Sequence, residues 1–280
     1  MPTTSEKRRA FRRLHASGCF VMPNPWDVGT ARWLQHLEFP ALATTSAGAA
    51  FAMGRPDSDR AVSGDAMLAH IAALVEATDV PVNADFGSGY AEDAAGVAAQ
   101  VGRCIATGVA GLSIEDSTGD ADAPLYETSA AVERLRAARA AVDEAGGDVV
   151  LTARAEGSVA GRPDLDDVLR RLRAYAAAGA DCLYAPGITT REQIAAVVDA
   201  VAPKPVNVLA GATPLAVSDL TALGVRRVSV GSGLARIAWA GFLAAAERIA
   251  RDGRFDGLAG ATSGARLNRF FEDDLRRRSG

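Results

Sequence analysis

The chain has 280 residues, 49% of them apolar and 23% charged, with a formal net charge of −4. That is enough apolar material for one large α/β barrel, the first reading, or for two ordinary domains, and the small, mixed charge with basic residues spread along helical faces gives no footprint for nucleic acid. Apolar runs break at Gly or a charge before roughly 18 residues, so neither a membrane span nor a membrane partner is expected.

The N-terminal stretch, Met1 to Arg13, is polar and basic without the apolar core of a secretory leader, so a cytoplasmic protein is expected. It reads as a short helix ahead of the barrel. From there, short β-branched or apolar runs alternate with longer Ala-, Leu- and Arg-rich segments of helical spacing, the pattern of βα units on a parallel sheet. Strands are expected at 19–22, 41–45, 81–85, 111–115, 149–154, 182–185, 205–209 and 226–230. Helices are expected at 27–36, 63–78, 91–107, 129–145, 164–178, 190–201, 214–223 and 234–251. Gly108, Gly146, Gly179 and Gly224 stand where left-handed helix stops belong. Eight such units point to a single (β/α)8 TIM-type barrel over 1–251, followed by a helical extension over 252–280; the alternative is an open doubly wound sheet, which would usually carry a Gly-rich loop where this chain has Pro23 to Asp27. In that extension Leu267, Phe270, Phe271 and Leu275 recur at helical spacing, and an amphipathic helix beyond a complete barrel packs well on a second subunit.

Four of the expected strands close on polar groups: Asn83 and Asp85, Glu115, Arg154, and Asn207. In a parallel barrel those ends share one rim, and catalytic groups collect there. Absences narrow the chemistry. Lys204 precedes the seventh strand and Lys7 precedes the barrel, so no lysine is placed for a Schiff base. His15, His36 and His70 end no strand, which removes imidazole as zinc ligand or as base for a nucleophile. Cys19, Cys104 and Cys182 lack metal-type or CxxC spacing and read as reduced core residues. Oxygen donors remain, from Asp57, Asp85, Glu115 and the Asn83 amide, a hard set suited to Mg²⁺ or Mn²⁺. Each acid also has an ordinary alternative, as a helix cap or as an ion-pair partner of Arg154. Ser46, Ala47 and Gly48 form a small-residue turn after the second strand whose amides suit a carboxylate or phosphate. Gly231 to Gly233 sits where many barrels bind phosphate.

Five segments, in order along the strands, carry a resemblance. They are Pro23-Asn24-Pro25-Trp26-Asp27; Thr45 to Gly48 with Gly54-Arg55-Pro56-Asp57; Asn83-Ala84-Asp85-Phe86-Gly87-Ser88-Gly89-Tyr90; Ile114-Glu115-Asp116; and Thr152-Ala153-Arg154-Ala155-Glu156. Together they resemble the isocitrate lyase and phosphoenolpyruvate mutase superfamily. The resemblance implies a Mg²⁺-dependent (β/α)8 barrel, with its eighth helix exchanged between subunits of a homodimer or homotetramer. It further implies enolate chemistry on a small 2-oxo or 2-hydroxy carboxylate. By motif position Asp85, Glu115 and Asn83 match the metal set, and Asp57 the acid supporting substrate or metal water. Arg154 and the Ser46, Ala47 and Gly48 amides match the carboxylate site. Ser117 and Thr118 stand on the variable loop as candidates for proton transfer, and Tyr90 and Asn207 as pocket-lining residues.

Three departures qualify the activity. Asn83 replaces the first acid of an Asp-x-Asp metal motif. The loop from Ser117 to Pro124 has no Cys, Lys or His where isocitrate-cleaving relatives carry a Lys-Lys-Cys-Gly-His segment. Ala185-Pro186-Gly187 replaces a Glu or His after the sixth strand. The expected function is a carbon–carbon lyase of oxaloacetate decarboxylase or methylisocitrate lyase type, acting on a dicarboxylate. Carbon–phosphorus chemistry of mutase or phosphonopyruvate hydrolase type, and a binding protein for 2-oxo acids without turnover, are the alternatives.

Overall fold

Gly108, Gly146, Gly179 and Gly224 have φ of 91°, 100°, 103° and 85°. Each ends a helix in the left-handed region, which glycine adopts without a Cβ penalty, and hands the chain to the next strand. The computed structural model describes residues 2–59, 61–211 and 213–279. Its strands are β1 (Phe20–Met22), β2 (Leu42–Ala43), β3 (Val82–Asp85), β4 (Gly111–Glu115), β5 (Val150–Arg154), β6 (Cys182–Tyr184), β7 (Val206–Leu209) and β8 (Arg227–Ser229). The helices up to β8 are α1 (Thr4–Ala16), α2 (Val28–His36), α3 (Ser46–Ala52), α4 (Gly64–Ala77), α5 (Ala94–Ala106), α6 (Thr128–Glu144), α7 (Leu165–Ala177), α8 (Arg191–Val201) and α9 (Val217–Ala222).

All strand pairs are parallel, in the order β1-β8-β7-β6-β5-β4-β3-β2. The β1–β2 seam is joined by Ala43 N–H donating to Pro23 O at 3.0 Å. Asn24 seals it from above: its amide donates to Thr44 O, and its Oδ1 accepts from Val230 and Gly231 N–H. Asn24 therefore ties the ends of β2 and β8 together, and the expected (β/α)8 barrel is the observed fold.

Two apolar layers hold it. Leu112, Leu151, Leu183, Val206 and Val228 face outward onto Met67, Ile71, Val101, Leu135, Leu172 and Ile194 from the helices. Each fully buried side chain of this kind contributes about 1.5–3 kcal/mol. Inside the barrel, Phe11 from α1 meets Phe20, Met22, Ala41, Ala43, Ala110, Val150 and Cys182. Phe11 is the plug that closes the end opposite the rim. Gly111 makes room for it, since a Cβ there would stand 2.6 Å from the Phe11 ring.

The chain resolves into two compact units, Met1–Ser232 and Gly233–Gly280. The second comprises α10 (Gly233–Asp252), a 3-10 turn (Asp256–Leu258) and α11 (Gly264–Ser279), so the eighth helix of the repeat groups with the tail. Ile237, Phe242 and Phe255 of this unit are exposed. No helix among the described residues is long and apolar enough to cross a membrane.

The difference from expectation lies after β2. Ser46–Ala52 is a helix rather than a turn, capped by Thr45, whose side chain accepts from Gly48 N–H. Seven residues without a charge gave no helical period to read.

His15, on the last turn of α1, yields a pH prediction. Its Nδ1 lies 2.8 Å from Phe11 O and so carries the proton; bare Nε2 faces Arg227 Nη1 at 3.3 Å. Burial, then the Arg227 charge, lower its pKa from 6.5 to about 3. Below about pH 6.5 the unfolded chain binds a proton that the folded one refuses, so stability falls as pH drops toward about 3 and the loss then levels off. Urea midpoints between pH 7 and 4 should therefore fall more steeply for the wild type than for His15→Gln. Equal slopes would clear His15 as the cause.

Candidate active site

Strand alternation sends every second side chain of β3, β4 and β5 into the barrel, so Asp85, Glu115 and Arg154 arrive together at the rim. Glu115 and Arg154 are register partners across β4 and β5. The guanidinium of Arg154 contacts three carboxylates: Asp85 at 2.6 Å through Nη1, Glu115 at 3.1 Å through Nη2 and Glu156 at 2.8 Å through Nε. Tyr184 lies under it, with the guanidinium carbon 5.3 Å from the ring centroid. Asp85 also accepts from Ser46 N–H at 2.9 Å, and Glu115 from Ser117 Oγ–H at 2.5 Å.

The charge is unbalanced. Asp57 stands close enough to Asp85 that, after burial, the neighbouring carboxylate raises its pKa, against a hydrogen bond from Ser46. Burial lifts Glu115 to about 8 despite Arg154, and Glu156 shifts upward for the same reason. Four acids thus surround one guanidinium, and the site attracts further positive charge.

A buried scaffold holds these groups. Glu156 N–H donates to Asp116 Oδ1 at 2.8 Å, while Asp116 Oδ2 accepts from Tyr175 Oη–H at 2.6 Å and Arg171 Nη1–H at 3.1 Å. The loop after β3 is fixed by Asp59, which accepts from both Ser88 N–H and Oγ–H. Gly87, at φ 50°, is required there because a Cβ would lie 2.2 Å from Asp59. Arg134 clamps the same loop through the carbonyls of Ser88, Ala91 and Glu92.

A cavity of about 310 Å³ opens at this rim, within the usual range for small-ligand pockets. Of the residues singled out in the sequence, Ser46, Ala47, Asp57, Asn83, Asp85, Arg154 and Asn207 line it. Glu115 reaches it through Arg154 and packs with Ile114, Asp116 and Arg134 behind the wall. Of the three amides, Ser46 N–H is taken by Asp85 and Gly48 N–H by Thr45. Asn83 donates to Ala84 O at 3.2 Å, and its buried Oδ1 has no hydrogen-bond partner. Tyr90 packs on Phe86, ring centroids 5.1 Å apart, outside the cavity wall. Thr118 ties its own loop together by donating to Ala123 O at 2.6 Å. Sequence reasoning reached Glu156 only as the end of the segment after Arg154, with no role of its own, and did not single out Tyr184 or Arg227, yet all three line the cavity. The alternation that selected Arg154 also selects Tyr184 on β6 and Arg227 on β8.

Mg²⁺ commonly binds through one or two carboxylates and several waters. Among the described residues no three acid, His or Cys side chains converge into a ready-made cage. Asp85 and Glu115, with excess negative charge around them and no lysine or histidine in the cavity lining, nevertheless make a donor set that fits a hard divalent cation.

Arg154→Met should cost about 3–5 kcal/mol, the price of leaving buried charges unpaired, whereas Glu156→Gln, which removes one acid from an overcharged cluster, should cost far less. Urea denaturation of the two variants checks this. A midpoint for Arg154→Met equal to wild type would show that the cluster does not hold the strand ends.

Comparison with known proteins agrees with the geometry. The family model for phosphoenolpyruvate phosphomutase matches residues 11–250. A Burkholderia cenocepacia crystal structure described as a candidate lyase/mutase is 49% identical, with a TM-score of 0.90 over 96% of both chains. The crystal structure of 2,3-dimethylmalate lyase, a phosphoenolpyruvate mutase/isocitrate lyase superfamily member, is 28% identical with a TM-score of 0.83, covering 100% of each chain. Oxaloacetate decarboxylase of Paraburkholderia xenovorans is 30% identical over 236 residues, 82% of this chain and 76% of that protein. With the family model spanning most of the barrel and the rim built from the ends of β3, β4 and β5, the chain belongs to the phosphoenolpyruvate mutase/isocitrate lyase superfamily of lyases and mutases.

Proposed function

We propose that this chain is a Mg²⁺-dependent carbon–carbon lyase acting on a small 2-oxo or 2-hydroxy dicarboxylate through an enolate, with Mn²⁺ able to replace Mg²⁺. The observation that carries the reading is the rim itself: Asp57, Asp85, Glu115 and Glu156 gathered around Arg154, in a cavity lined by neither lysine nor histidine. A site of this kind stabilises developing negative charge with fixed donors and a cation rather than by covalent catalysis. The names borne by the similar oxaloacetate decarboxylase and 2,3-dimethylmalate lyase support the substrate class.

Asp85 and Glu115 would hold the metal with its waters, and Asp57 would orient a water beyond them; a cation bound there would supply Lewis acidity for the oxo or hydroxyl oxygen. Arg154, kept cationic by its acids, presents its remaining N–H groups to the ligand's carboxylate beside the Ala47 amide. Val159, Pro186 and Leu209 provide an apolar stretch of cavity wall and limit the water that reaches an enolate. Ser117 is bonded to Glu115 and can pass a proton only through that carboxylate. Assembly into a homodimer or homotetramer belongs to the same reading, with the exposed Ile237 and Phe242 as its apolar contacts; light scattering of the purified protein checks it.

Release of pyruvate or CO₂ from oxaloacetate, with methylisocitrate and phosphonopyruvate alongside, should require Mg²⁺ or Mn²⁺, stop in EDTA and fall by about 10²-fold or more in Asp85→Ala. Preference for phosphonopyruvate would move the assignment to carbon–phosphorus chemistry. A second reading, binding without turnover, is favoured by Asn83 and by the self-tied loop at Thr118; 2-oxo acid binding with no turnover of any of the three would establish it. Independently of turnover, millimolar Mg²⁺ should raise the melting temperature of the wild type and leave Asp85→Ala unmoved, because a ligand that binds only the folded state stabilises it. An equal rise in both would remove Asp85 from the metal set.

A further inference from the structure

The cavity does not end at the rim. Below Arg154 it is lined by Asn83, Ser113, Asn207, Ser229 and Arg227. Arg227 is 2% exposed, and its side chain crosses the barrel from β8 to β5. Nε–H donates to Asn207 Oδ1 at 2.9 Å, Nη2–H to Thr152 Oγ1 at 3.1 Å, and Nη1–H faces His15 Nε2 at 3.3 Å. Every one of these partners is neutral. Among the described residues Arg227 forms no ion pair, in contrast to Arg154 with three. Cys182, the other titratable group beside it, keeps its proton because burial pushes the thiol up. His15 is held neutral by burial and by Arg227 itself.

A buried guanidinium with no counter-charge is costly unless an anion reaches it. Arg227 is built to receive one. A guanidinium has five N–H donors; three are committed, one each on Nε, Nη1 and Nη2, which leaves two for a ligand on a side chain that lines the cavity. Asn207, which accepts from Arg227, donates in turn to Ser229 Oγ at 2.9 Å, so the floor is pre-ordered by neutral groups that leave its charge unspent. The cavity therefore has two electrical ends, an acid-rich rim that attracts a metal and a cationic floor that attracts an anion.

We propose that Arg227, positioned by Asn207 and Thr152, is a second anion subsite that binds the far carboxylate of the ligand and so selects dianionic over monoanionic acids. The proposal rests on the reading of the rim as a 2-oxo acid site. Thr152 lies two residues below Arg154 on β5, about 7 Å along the strand. A four- or five-carbon diacid spans that distance once a hydrogen bond is added at each end.

The test is calorimetric binding, with Mg²⁺ present, of pyruvate and 2-oxobutyrate as monoacids against oxaloacetate and 2-oxoglutarate as diacids, with phosphonopyruvate as the phosphonate arm. The wild type should bind at least one dianion about tenfold or more tighter than the monoacids, in keeping with a charge-assisted hydrogen bond. Arg227→Met should erase that difference, raising KM for a turned-over diacid more than it lowers kcat. Asn207→Asp is the companion variant: it keeps the side chain's size and gives Arg227 an internal carboxylate, so it should also abolish the preference while leaving the fold intact. If Arg227→Met does not fold, Asn207→Asp decides alone. A dianion preference that survives the folded variants, or a wild type that binds mono- and dianions alike while retaining metal-dependent turnover, overturns the floor and leaves the rim reading standing. A wild type that binds none of these acids overturns both.

Discussion

The rim depends on one guanidinium. Arg154 ends β5 between carboxylates supplied by β3, β4 and its own following loop, and without it Asp85, Glu115 and Glu156, whose side chains are no more than 18% exposed, would repel one another. Such a cluster is not a net source of stability, because desolvating four charges cancels most of their attraction. What it provides is position. The strand ends are held where their acids converge, and an unpaired arrangement is much worse than the paired one. The residual excess of negative charge is then available to a cation from outside.

The second tier explains how the cluster keeps its shape. Asp116 follows Glu115 directly, points away from the barrel lumen, and receives Tyr175, Arg171 and the Glu156 amide at once. Adjacent acids on one strand end thus serve opposite faces, one toward the cavity and one toward α7, as strand alternation demands. Tyr175 and Arg171 stand four apart on α7 and present both donors on one helical face. The active-site rim is fastened to the outer helices through hydrogen bonds that carry no ligand.

Much of this was legible in the sequence because it is periodic. Eight apolar runs with glycine-ended helices between them announce the barrel, and the polar groups at the ends of β3, β4 and β5 announce the rim. Features that depend on length or on partners far along the chain were not legible. α3 is too short and too small in side chain to show a period, so its first residues read as a turn. Asp59 lies among several polar loop residues, and only the folded loop shows that it holds Ser88. Arg227 opens its strand, where the general rule for barrels expects stability rather than chemistry, and its length is what carries the charge up to the cavity.

Asn83 gains a physical meaning from the same geometry. As a departure from an Asp-x-Asp motif it reads as a lost metal ligand, one charge fewer at the rim. In the folded chain it stands two residues before Asp85, inside the lumen, with its Oδ1 2.7 Å from the position a Cβ on Gly111 would take. An aspartate there would place a buried carboxylate inside the barrel with no donor on that oxygen, since Asn83 Oδ1 has none. It would also bring a negative charge into the belt of neutral polar groups, Ser113, Asn207 and Ser229, that separates the acids of the rim from Arg227. The neutral amide keeps the two ends of the cavity electrically distinct. The loss of charge at one end and the unspent charge at the other are thus linked: with an asparagine at 83 the rim carries one carboxylate fewer, and the arginine at the floor is left with only neutral partners.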